Sequence, residues 1–394
     1  MRPDSRRGHC GLFTMQKDNM KKRILILGAG NAQIDAIEYC KAHGYETVGC
    51  SYTTVDCGIP HLDIFEQVDI KSVEGVAALA RKYGVSAIYS VGSDLAMPTV
   101  MKVSEELGLP HFISAEAAEI CHSKGKMREA LGEGFEGNAA FRVCGTLEEA
   151  LEYKDFPAMM KPVDSQGQRG CFKVESSEDI MKHFAASLDY SFEGKVIIEE
   201  FIDGPEVSVN AYMQDGVMKF AIVSDRYAFD EYPGGIIKEH RVPSSFADGE
   251  AQAKAKDLSA RVAAKIGISN GPCYFQIKLK DGKEPVIIEV TPRLDGCHMW
   301  NLIKHFCGAD LLDACFRHLL EGESVLDGNY EMPCEEYSLV FMSKEPNTSF
   351  ARADFDVNGA EYVCYYYNDG DRVLKINGYI EKCGYIIRRT GRTV

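Results

Sequence analysis

The chain has 394 residues, 45% of them hydrophobic and 26% charged, which is typical of a globular protein long enough for two or three domains. A formal net charge of −15 without a basic stripe argues against nucleic-acid binding, and the lack of an apolar run of about 18 residues argues against a membrane span. The 14 cysteines include no C-x-x-C pair and follow no secretory signal, so we expect reduced thiols, a cytoplasmic location and no cysteine-bound metal.

Residues 1–21 are polar and lack the apolar segment of a signal peptide, so we interpret them as a tail, with Met20 as an alternative start to Met1. From Arg23 onward, buried apolar runs alternate with segments of helical periodicity. The predicted strands are at 23–28, 46–51 and 86–91, and the predicted helices at 33–43, 73–83 and 96–107. This alternation predicts a doubly wound parallel sheet over residues 22–112.

The first strand ends in the glycine turn GAG at residues 28–30, which suggests part of a dinucleotide-binding fingerprint. Gln33 stands where the third glycine belongs, and no acidic residue ends the second strand, so NAD binding is the weaker alternative to a tight turn. Ser93 and Asp94 follow a later strand, at an edge where open α/β sheets bind ligands. Asp94 is equally interpretable as a helix N-cap.

Two lysines and a loop are candidates for anion binding. Lys124 shares a helix face with Arg128, for which a solvated basic face is the simpler interpretation. Lys161 interrupts an otherwise apolar strand and therefore needs an anionic partner. The loop at 164–170 contains two glycines and Arg169, so its amides can approach phosphates, although many such loops are only turns.

A pair of carboxylates ends the next apolar strand. Glu199 and Glu200 precede a Gly-Pro break, and an exposed strand end is the simplest explanation for them. A helix is predicted at 250–266. A further helix is predicted at 307–320, before an aromatic and β-branched region at about 325–394 whose Asp-Gly and Asn-Gly turns predict a small β-rich unit.

A β-hairpin is predicted at residues 273–296, where two apolar runs flank an Asp-Gly turn. If the loop is centred between Gly282 and Lys283, Gln276 lies opposite Glu289. A carboxylate and an amide oxygen then face one cavity, which is the outline of a hard-cation site.

Four further candidate residues lie in this hairpin or just after it. Thr291 lies two residues after Glu289 and therefore points to the same side. Arg293, just past the strand, has the forked geometry that binds phosphate or carboxylate. His298 is a candidate substrate contact or a buried imidazole, and Trp300 is a candidate contact or a core residue.

Taken in order, these segments resemble the ATP-grasp superfamily, and more closely its branch of biotin carboxylase, carbamoyl-phosphate synthetase and the amino-acid ligases. The resemblance covers about residues 22–320 and rests on an ordered set of motifs. The motifs are SK-x-x-x-R, FPAMMKPVDSQGQRG, VIIEEFIDGPEVSV, YFQIKL and IIEVTPR. The resemblance implies an α/β and α+β multidomain fold: a tail at 1–21, an N-terminal α/β domain at 22–112, an ATP-grasp domain at 113–322 and a β-rich domain at 323–394.

The resemblance also implies roles for individual residues. Nucleotide contacts fall on two lysines, a lid loop, a hinge and a ribose-binding carboxylate: Lys124, Lys161, Ser165, Gly167, Arg169, Gly170, Glu199, Glu200, Phe201, Ile202 and Glu206. Gln276 and Glu289 match the metal ligands. Thr291 stands where many members have Asn and would be a weaker ligand, with Asp295 as a substitute or a turn cap. Arg293 matches the arginine beside the reacting phosphoryl group and, with Lys161, is the predicted catalytic pair.

The implied activity is that of an ADP-forming carboxylate–amine or carboxylate–thiol ligase, with ATP and Mg²⁺, or Mn²⁺ in its place. Its mechanism would pass through an acylphosphate. Two alternatives stay open: a bicarbonate-activating carboxylase or carbamoyl-phosphate-type enzyme, and a non-catalytic ATP-binding regulatory module. The implied partners are ATP and small carboxylate and amine substrates. Members are frequently dimers, which allows a homodimer here. The expected determinants of substrate choice are the N-terminal sheet, the residues near Ser93 and Asp94, and residues 227–240 and 295–301.

Overall fold

The computed structural model describes residues 21–165, 169–232, 235–323, 326, 328–376 and 378–393. The predicted tail up to residue 20, including Met20, lies outside the described residues. The described chain contains a four-stranded parallel sheet, a four-stranded antiparallel sheet and an eight-stranded antiparallel sheet. This combination confirms the predicted fold class. None of the described helices has the length and apolarity that crossing a membrane requires.

The N-terminal part forms the parallel sheet. Its elements are β1 (Arg23–Leu27), α1 (Asn31–Ala42), β2 (Glu46–Ser51), β3 (Ile64–Gln67), α2 (Val73–Tyr83), β4 (Ala87–Tyr89) and α3 (Met97–Leu107). The strand order is β3-β2-β1-β4, which confirms the predicted parallel sheet. Strand β3 is not among the predicted strands, because this edge strand has only four residues, none of them fully buried.

The glycine turn after β1 is filled by the side chain of Gln33. Gln33 Nε2 donates to the backbone oxygen of Val91 at 2.6 Å. Its amide carbon lies 3.4 Å from where a Cβ on Gly28 would stand, and Gly28 has a φ of +91°. The glutamine therefore occupies the space beside the glycine backbone, which agrees with the tight-turn interpretation.

The loop between β4 and α3 packs directly on the turn that follows the predicted hairpin. A Cβ on Gly92 would lie 2.6 Å from the Cα of Gly296, and Gly92 has a φ of +68°, so this contact requires glycine. Helix α3 has Ala96 at its N-cap and no side-chain cap. The N-cap interpretation of Asp94 is therefore wrong.

The middle of the chain forms the small antiparallel sheet. Helices α4 (Ala115–His122) and α5 (Lys124–Leu131) lead into β5 (Phe141–Cys144), α6 (Leu147–Leu151), β6 (Ala158–Pro162), β7 (Phe172–Val174), α7 (Ser177–Leu188) and β8 (Val196–Glu200). The strand order is β5-β8-β6-β7. This sheet and helices α6 and α7 share their own small hydrophobic core.

The rest of the chain forms the large sheet. Its strands are β9 (Glu206–Gln214), β10 (Val217–Ala228), β11 (Ile237–Val242), β12 (Gly271–Lys280), β13 (Glu284–Thr291), β14 (Glu335–Lys344), β15 (Tyr362–Tyr365) and β16 (Glu381–Thr393). Their order is β13-β12-β9-β10-β11-β14-β16-β15. The strands of the predicted C-terminal β-rich unit therefore extend the same sheet through β11. One hydrophobic core joins this sheet to the N-terminal sheet.

Three helices pack against the large sheet. They are α8 (Gly249–Ile266), α9 (Met299–Cys307) and α10 (Leu311–Glu321). The helix predicted at 250–266 is confirmed. The helix predicted to start at 307 is wrong in its start, because Gly308 has a φ of +80° and ends α9. Asp310 then caps α10 by accepting a hydrogen bond from the backbone of Asp313.

Candidate functional site

A cavity of about 370 Å³ lies between the small antiparallel sheet and the β9–β10–β12–β13 end of the large sheet. Its size is within the usual range of small-ligand sites. It is lined by Lys124, Met159, Lys161, Ser165, Cys171, Glu199, Glu200, Phe201, Ile202, Glu206, Arg226, Gln276, Lys278, Ile288 and Glu289. The structure thus brings together most of the residues predicted for nucleotide and metal binding, although they come from segments far apart in sequence.

Lys161 has the anionic partner that its position in an apolar strand requires. Its ammonium pairs with the carboxylate of Glu199, which is only 3% exposed. Burial by itself raises the pKa of Glu199, but the charges and hydrogen bonds of Arg128 and Lys161 outweigh burial and lower that pKa to about 2. Glu199 is therefore ionised at neutral pH, and its interpretation as an exposed strand end is wrong.

Arg128 is the second partner of this carboxylate. It is 0% exposed, and its Nε donates to Glu199 Oε1 at 2.9 Å. Its Nη1 donates to Asn138 Oδ1 at 2.9 Å. The interpretation of Lys124 and Arg128 as a solvated basic face is therefore wrong for Arg128. One carboxylate shared by two cations leaves this buried group with one net positive charge.

Lys124 begins helix α5 and reaches the start of the predicted lid loop. Its Nζ donates to the backbone oxygen of Ser165 at 2.8 Å. Gly167 lies outside the described residues. Arg169 is exposed and does not line the cavity. Gly170 has a φ of +70°, and a Cβ there would lie 3.0 Å from Pro162 and from Tyr190, so the end of the loop requires glycine.

The predicted hinge forms one wall of the cavity. Glu200 pairs with Lys280 at 2.5 Å, which ties the end of β8 to the end of β12. The ring of Phe201 lies below the ammonium of Lys173, 4.6 Å from the ring centroid. Ile202 is buried. On the neighbouring strand, Glu206 pairs with Arg226.

The hairpin has the predicted pairing of Gln276 with Glu289, but a different turn position and a β-bulge produce it. Lys280 pairs with Glu284, so the turn is centred on Gly282, and that spacing alone would place Gln276 opposite Ile288. A β-bulge shifts the register by one residue, and Gln276 pairs with Glu289. The predicted pair is confirmed, whereas the premise about the turn centre is wrong.

The donor atoms of this pair fit a magnesium site. Glu289 supplies a carboxylate and Gln276 an amide oxygen, both on the cavity wall, and Mg²⁺ commonly takes only one or two protein carboxylates. Within the described ranges, no three His, Cys, Asp or Glu side chains form a denser metal-binding group. Thr291 pairs with Tyr274, is 2% exposed and does not line the cavity.

Arg293 lies outside the cavity wall, at the junction with the N-terminal sheet. Its Nε and Nη2 donate to the two carboxylate oxygens of Asp94 at 2.6 and 2.7 Å. It is 7% exposed, and its Nη1 donates to the backbone oxygen of Leu294 at 3.0 Å. The fork predicted for a phosphate or carboxylate is therefore occupied by a carboxylate of the protein itself.

His298 and Trp300 are structural in this arrangement. His298 Nδ1 lies 3.0 Å from Asp35 Oδ2, and its Nε2 lies 2.8 Å from the hydroxyl of Tyr366. Trp300 Nε1 donates to the same Asp35 oxygen at 2.9 Å. Both rings of this pair are buried. Of the alternatives for His298 and Trp300, the buried imidazole and the core residue agree with the structure.

Five cavity residues are absent from the sequence-based prediction: Met159, Cys171, Arg226, Lys278 and Ile288. Two of them carry charge and matter most for anion binding. Lys278 could have been predicted in the same way as Gln276, because it lies two residues further along the same strand. Arg226 was not, because its neighbour Glu206 is known only once β9 and β10 are paired.

Comparisons with known proteins identify a domain family and several similar chains. Residues 154–300 match the ATP-grasp domain family. Alanine–anticapsin ligase of Bacillus subtilis is 27% identical over 61% of this chain and 55% of its own length. Formate-dependent phosphoribosylglycinamide formyltransferase of Methanocaldococcus jannaschii is 23% identical over 93% of this chain and 96% of its own length.

A solved structure shows the same fold over nearly the whole chain. The L-amino acid ligase from Bacillus licheniformis superposes with a TM-score of 0.73 at 18% identity, over 94% of this chain and 93% of its own. The chain spans about half of the alanine–anticapsin ligase and 30% of mouse carnosine synthase 1, to which it is 25% identical over 59% of its own length.

Proposed function

We propose that the chain, whose residues 154–300 match the ATP-grasp domain family, is an ADP-forming ATP-grasp ligase that joins a small carboxylic acid to an amine through an acylphosphate. The observation that carries the proposal is one cavity whose lining includes Lys124, Lys161, Gln276 and Glu289. Cations and oxygen ligands facing one space are what phosphoryl transfer requires, because catalysis of this step is mainly positioning and charge neutralisation. A side-chain nucleophile is unnecessary.

The two ends of ATP are assigned from the surroundings. Lys124 and Lys161 contact the phosphates, and the net positive charge of the Arg128–Glu199–Lys161 group favours an anion there. Because Glu199 is already engaged by two cations, the backbone of residues 199–202 is the part of the hinge left to bind the adenine. Glu206, held by Arg226, is placed for the ribose hydroxyls.

Gln276 and Glu289 would hold Mg²⁺, or Mn²⁺ in its place. When bound, the ion neutralises the charge of the phosphate groups. Thr291 would contribute only if its buried hydroxyl became accessible, so our proposal assigns the metal to the first two residues. Asp295 is separate from them, since it does not line the cavity.

The reaction has two steps. A carboxylate oxygen of the acid attacks the γ-phosphorus, and the bond to the β-phosphate oxygen breaks, which releases ADP. The amine nitrogen then attacks the acyl carbon, the bond to the phosphate oxygen breaks, and the amine loses a proton. Arg293 is proposed to contact the transferring phosphoryl group after exchanging its Asp94 partner for that group.

The test is ADP release by the purified chain with ATP, Mg²⁺ and pools of carboxylic acids and amino acids. Hydroxylamine is added in place of the amine, because it converts an acylphosphate into a hydroxamate. The proposal predicts ADP release and hydroxamate in equal amounts with at least one acid. ADP release that depends on bicarbonate alone would instead indicate carboxyphosphate chemistry, and ATP binding without turnover in any pool would contradict the proposed reaction.

The cellular location and the oligomeric state belong to the same proposal. All cysteines in the described part of the chain are free thiols, which supports the proposed cytoplasmic location. We also propose a homodimer, which size-exclusion chromatography with light scattering would test.

A further inference from the structure

A group of charged side chains lies just beyond the ATP cavity, and two of its members lack an ionic partner. Arg226 lines the cavity and is paired with Glu206. Arg293 is paired with Asp94. The charge of Asp295, in the turn before α9, acts on both arginines, but neither Asp295 nor Lys382 of β16 forms an ion pair in the described part of the chain.

Lys382 is a half-buried cation without a carboxylate. Its Nζ lies 3.6 Å from Cys297 Sγ and 3.5 Å from the centroid of the Phe341 ring. Among the residues that the structure describes, no Asp or Glu oxygen lies within ion-pair distance of it. A thiol and an aromatic face compensate an ammonium only partly for lost water.

Asp295 is a buried anion with one oxygen unused. It is 6% exposed, and its Oδ1 accepts a hydrogen bond from the backbone of Cys297 at 3.0 Å. Its Oδ2 is buried and has no hydrogen-bond partner in the described part of the chain. Cys297 therefore lies between the two groups. Its sulfur contacts the Lys382 ammonium, and its backbone amide donates to the Asp295 carboxylate.

His240 completes this group without adding charge. It pairs with Arg226 across β10 and β11 and is 0% exposed. Neither ring nitrogen has a hydrogen-bond partner of ordinary geometry within the described residues. Burial lowers the pKa of His240 to about 4, against an opposing effect of Asp295, so the ring is neutral at pH 7.

We propose that Lys382 and Asp295 form a subsite for a zwitterion, an α-amino acid whose carboxylate binds Lys382 and whose ammonium binds Asp295. An unpaired buried charge is costly, and a ligand that carries both opposite charges compensates both groups at once. The inference rests on the proposed ligase function, because it names the class of one of the two substrates. It also gives the C-terminal strand β16 a part in substrate choice.

Calorimetric titration of the full chain with each of the twenty common amino acids tests the subsite independently of turnover. We expect at least one to bind. Its α-carboxamide, which lacks the negative charge, and its des-amino analogue, which lacks the positive charge, should each bind at least about tenfold more weakly.

Variants then assign each charge. Lys382→Met should bind the amino acid and its α-carboxamide with similar affinity. Asp295→Asn should bind the amino acid and its des-amino analogue with similar affinity. Lys219→Met, at an exposed position of the same sheet, and Asp356→Asn, which removes a similar 3.0 Å bond to a backbone amide at an exposed turn, are the matched controls and should keep both preferences. Lys382→Arg should keep the charge preference if the protein folds normally.

The outcomes separate this inference from the proposed reaction. Absence of amino-acid binding to the unmodified chain overturns the subsite, and so does unchanged preference in both variants, or an equal loss of affinity for all three ligands. Amino-acid binding without hydroxamate or ADP release supports the subsite while contradicting the ligase. Hydroxamate formation from an acid without an amino group, together with no amino-acid binding, supports the ligase and overturns the subsite.

Discussion

The Glu199 carboxylate is shared between Lys161 and Arg128, and all three side chains are almost completely buried. The carboxylate comes from β8, the lysine from β6 and the arginine from α5. Because α5 also carries Lys124, this group fixes the two lysines proposed to bind phosphate relative to residues 199–202. It therefore connects the stability of the small sheet to the geometry of the proposed ATP site.

Removing Arg128 should destabilise the protein strongly. Arg128→Met leaves Glu199 with one cation and a lost hydrogen bond, and we expect the free energy of unfolding to fall by about 3–5 kcal/mol. The double variant Arg128→Met, Glu199→Gln should be less stable still, because it also leaves the buried Lys161 ammonium without its carboxylate. Urea unfolding of the three proteins measures both. Equal loss in the single and double variants would contradict the coupling.

The same carboxylate predicts a dependence of stability on pH. The pKa of Glu199 is lowered from 4.5 to about 2 in the folded protein, so the unfolded chain takes up its proton first as the pH falls. The stabilisation is complete above pH 4.5 and is lost as the pH falls toward 2, by an amount on the order of 3 kcal/mol. Urea unfolding at a series of pH values should show this slope in the unmodified protein. Glu199→Gln should reduce it, and an unchanged slope would show that other groups cause it.

The hairpin pair should control the metal requirement. Glu289→Gln removes the only carboxylate of the Gln276–Glu289 pair, so the Mg²⁺ concentration for half-maximal ADP release should rise at least about tenfold. Gln276→Glu adds a charge and should lower that concentration. Chelation by EDTA should abolish turnover, and added Mn²⁺ should restore it. The metal assignment fails if both variants have the Mg²⁺ dependence of the unmodified chain.

Arg293 should act on the chemical step more than on ATP binding. In Arg293→Ala, kcat should fall about 100- to 1000-fold if the guanidinium stabilises the transferring group as other preorganised donors do. The dissociation constant for ATP should change little, since Arg293 does not line the cavity. Asp94→Asn keeps the arginine but loosens it and should have a smaller effect. Unchanged kcat with normal ATP affinity in Arg293→Ala would remove Arg293 from the mechanism.

Local patterns in the sequence were sufficient to predict several features. An assumed turn centre between Gly282 and Lys283 gave the pairing of Gln276 with Glu289, and the polar residue in an apolar run showed that Lys161 needed an anion. The same reasoning could not identify the anion's other partner, because Arg128 precedes Glu199 by 71 residues. It also gave the hairpin pair without the bulge that produces it, since a bulge depends on how both strands fit their neighbours.

Long-range ion pairs account for most of what was missed. Arg293 and Asp94 are 199 residues apart, so the sequence showed each as a free group near a ligand. The structure shows a pair that joins the N-terminal sheet to the turn after β13. For the same reason the sequence did not indicate a role for Lys382. Its position beside Cys297 depends on β16 joining the large sheet through β14.

Transfer of oxygen from the acid to phosphate tests the acylphosphate most directly. The acid substrate found in the ADP-release assay is labelled with ¹⁸O in its carboxylate, and the inorganic phosphate is analysed by ³¹P NMR after complete turnover with the amine. An acylphosphate predicts one ¹⁸O atom in each phosphate released, because the carboxylate oxygen that attacked the γ-phosphorus leaves with it. Phosphate without ¹⁸O, formed together with the amide product, would contradict the proposed reaction.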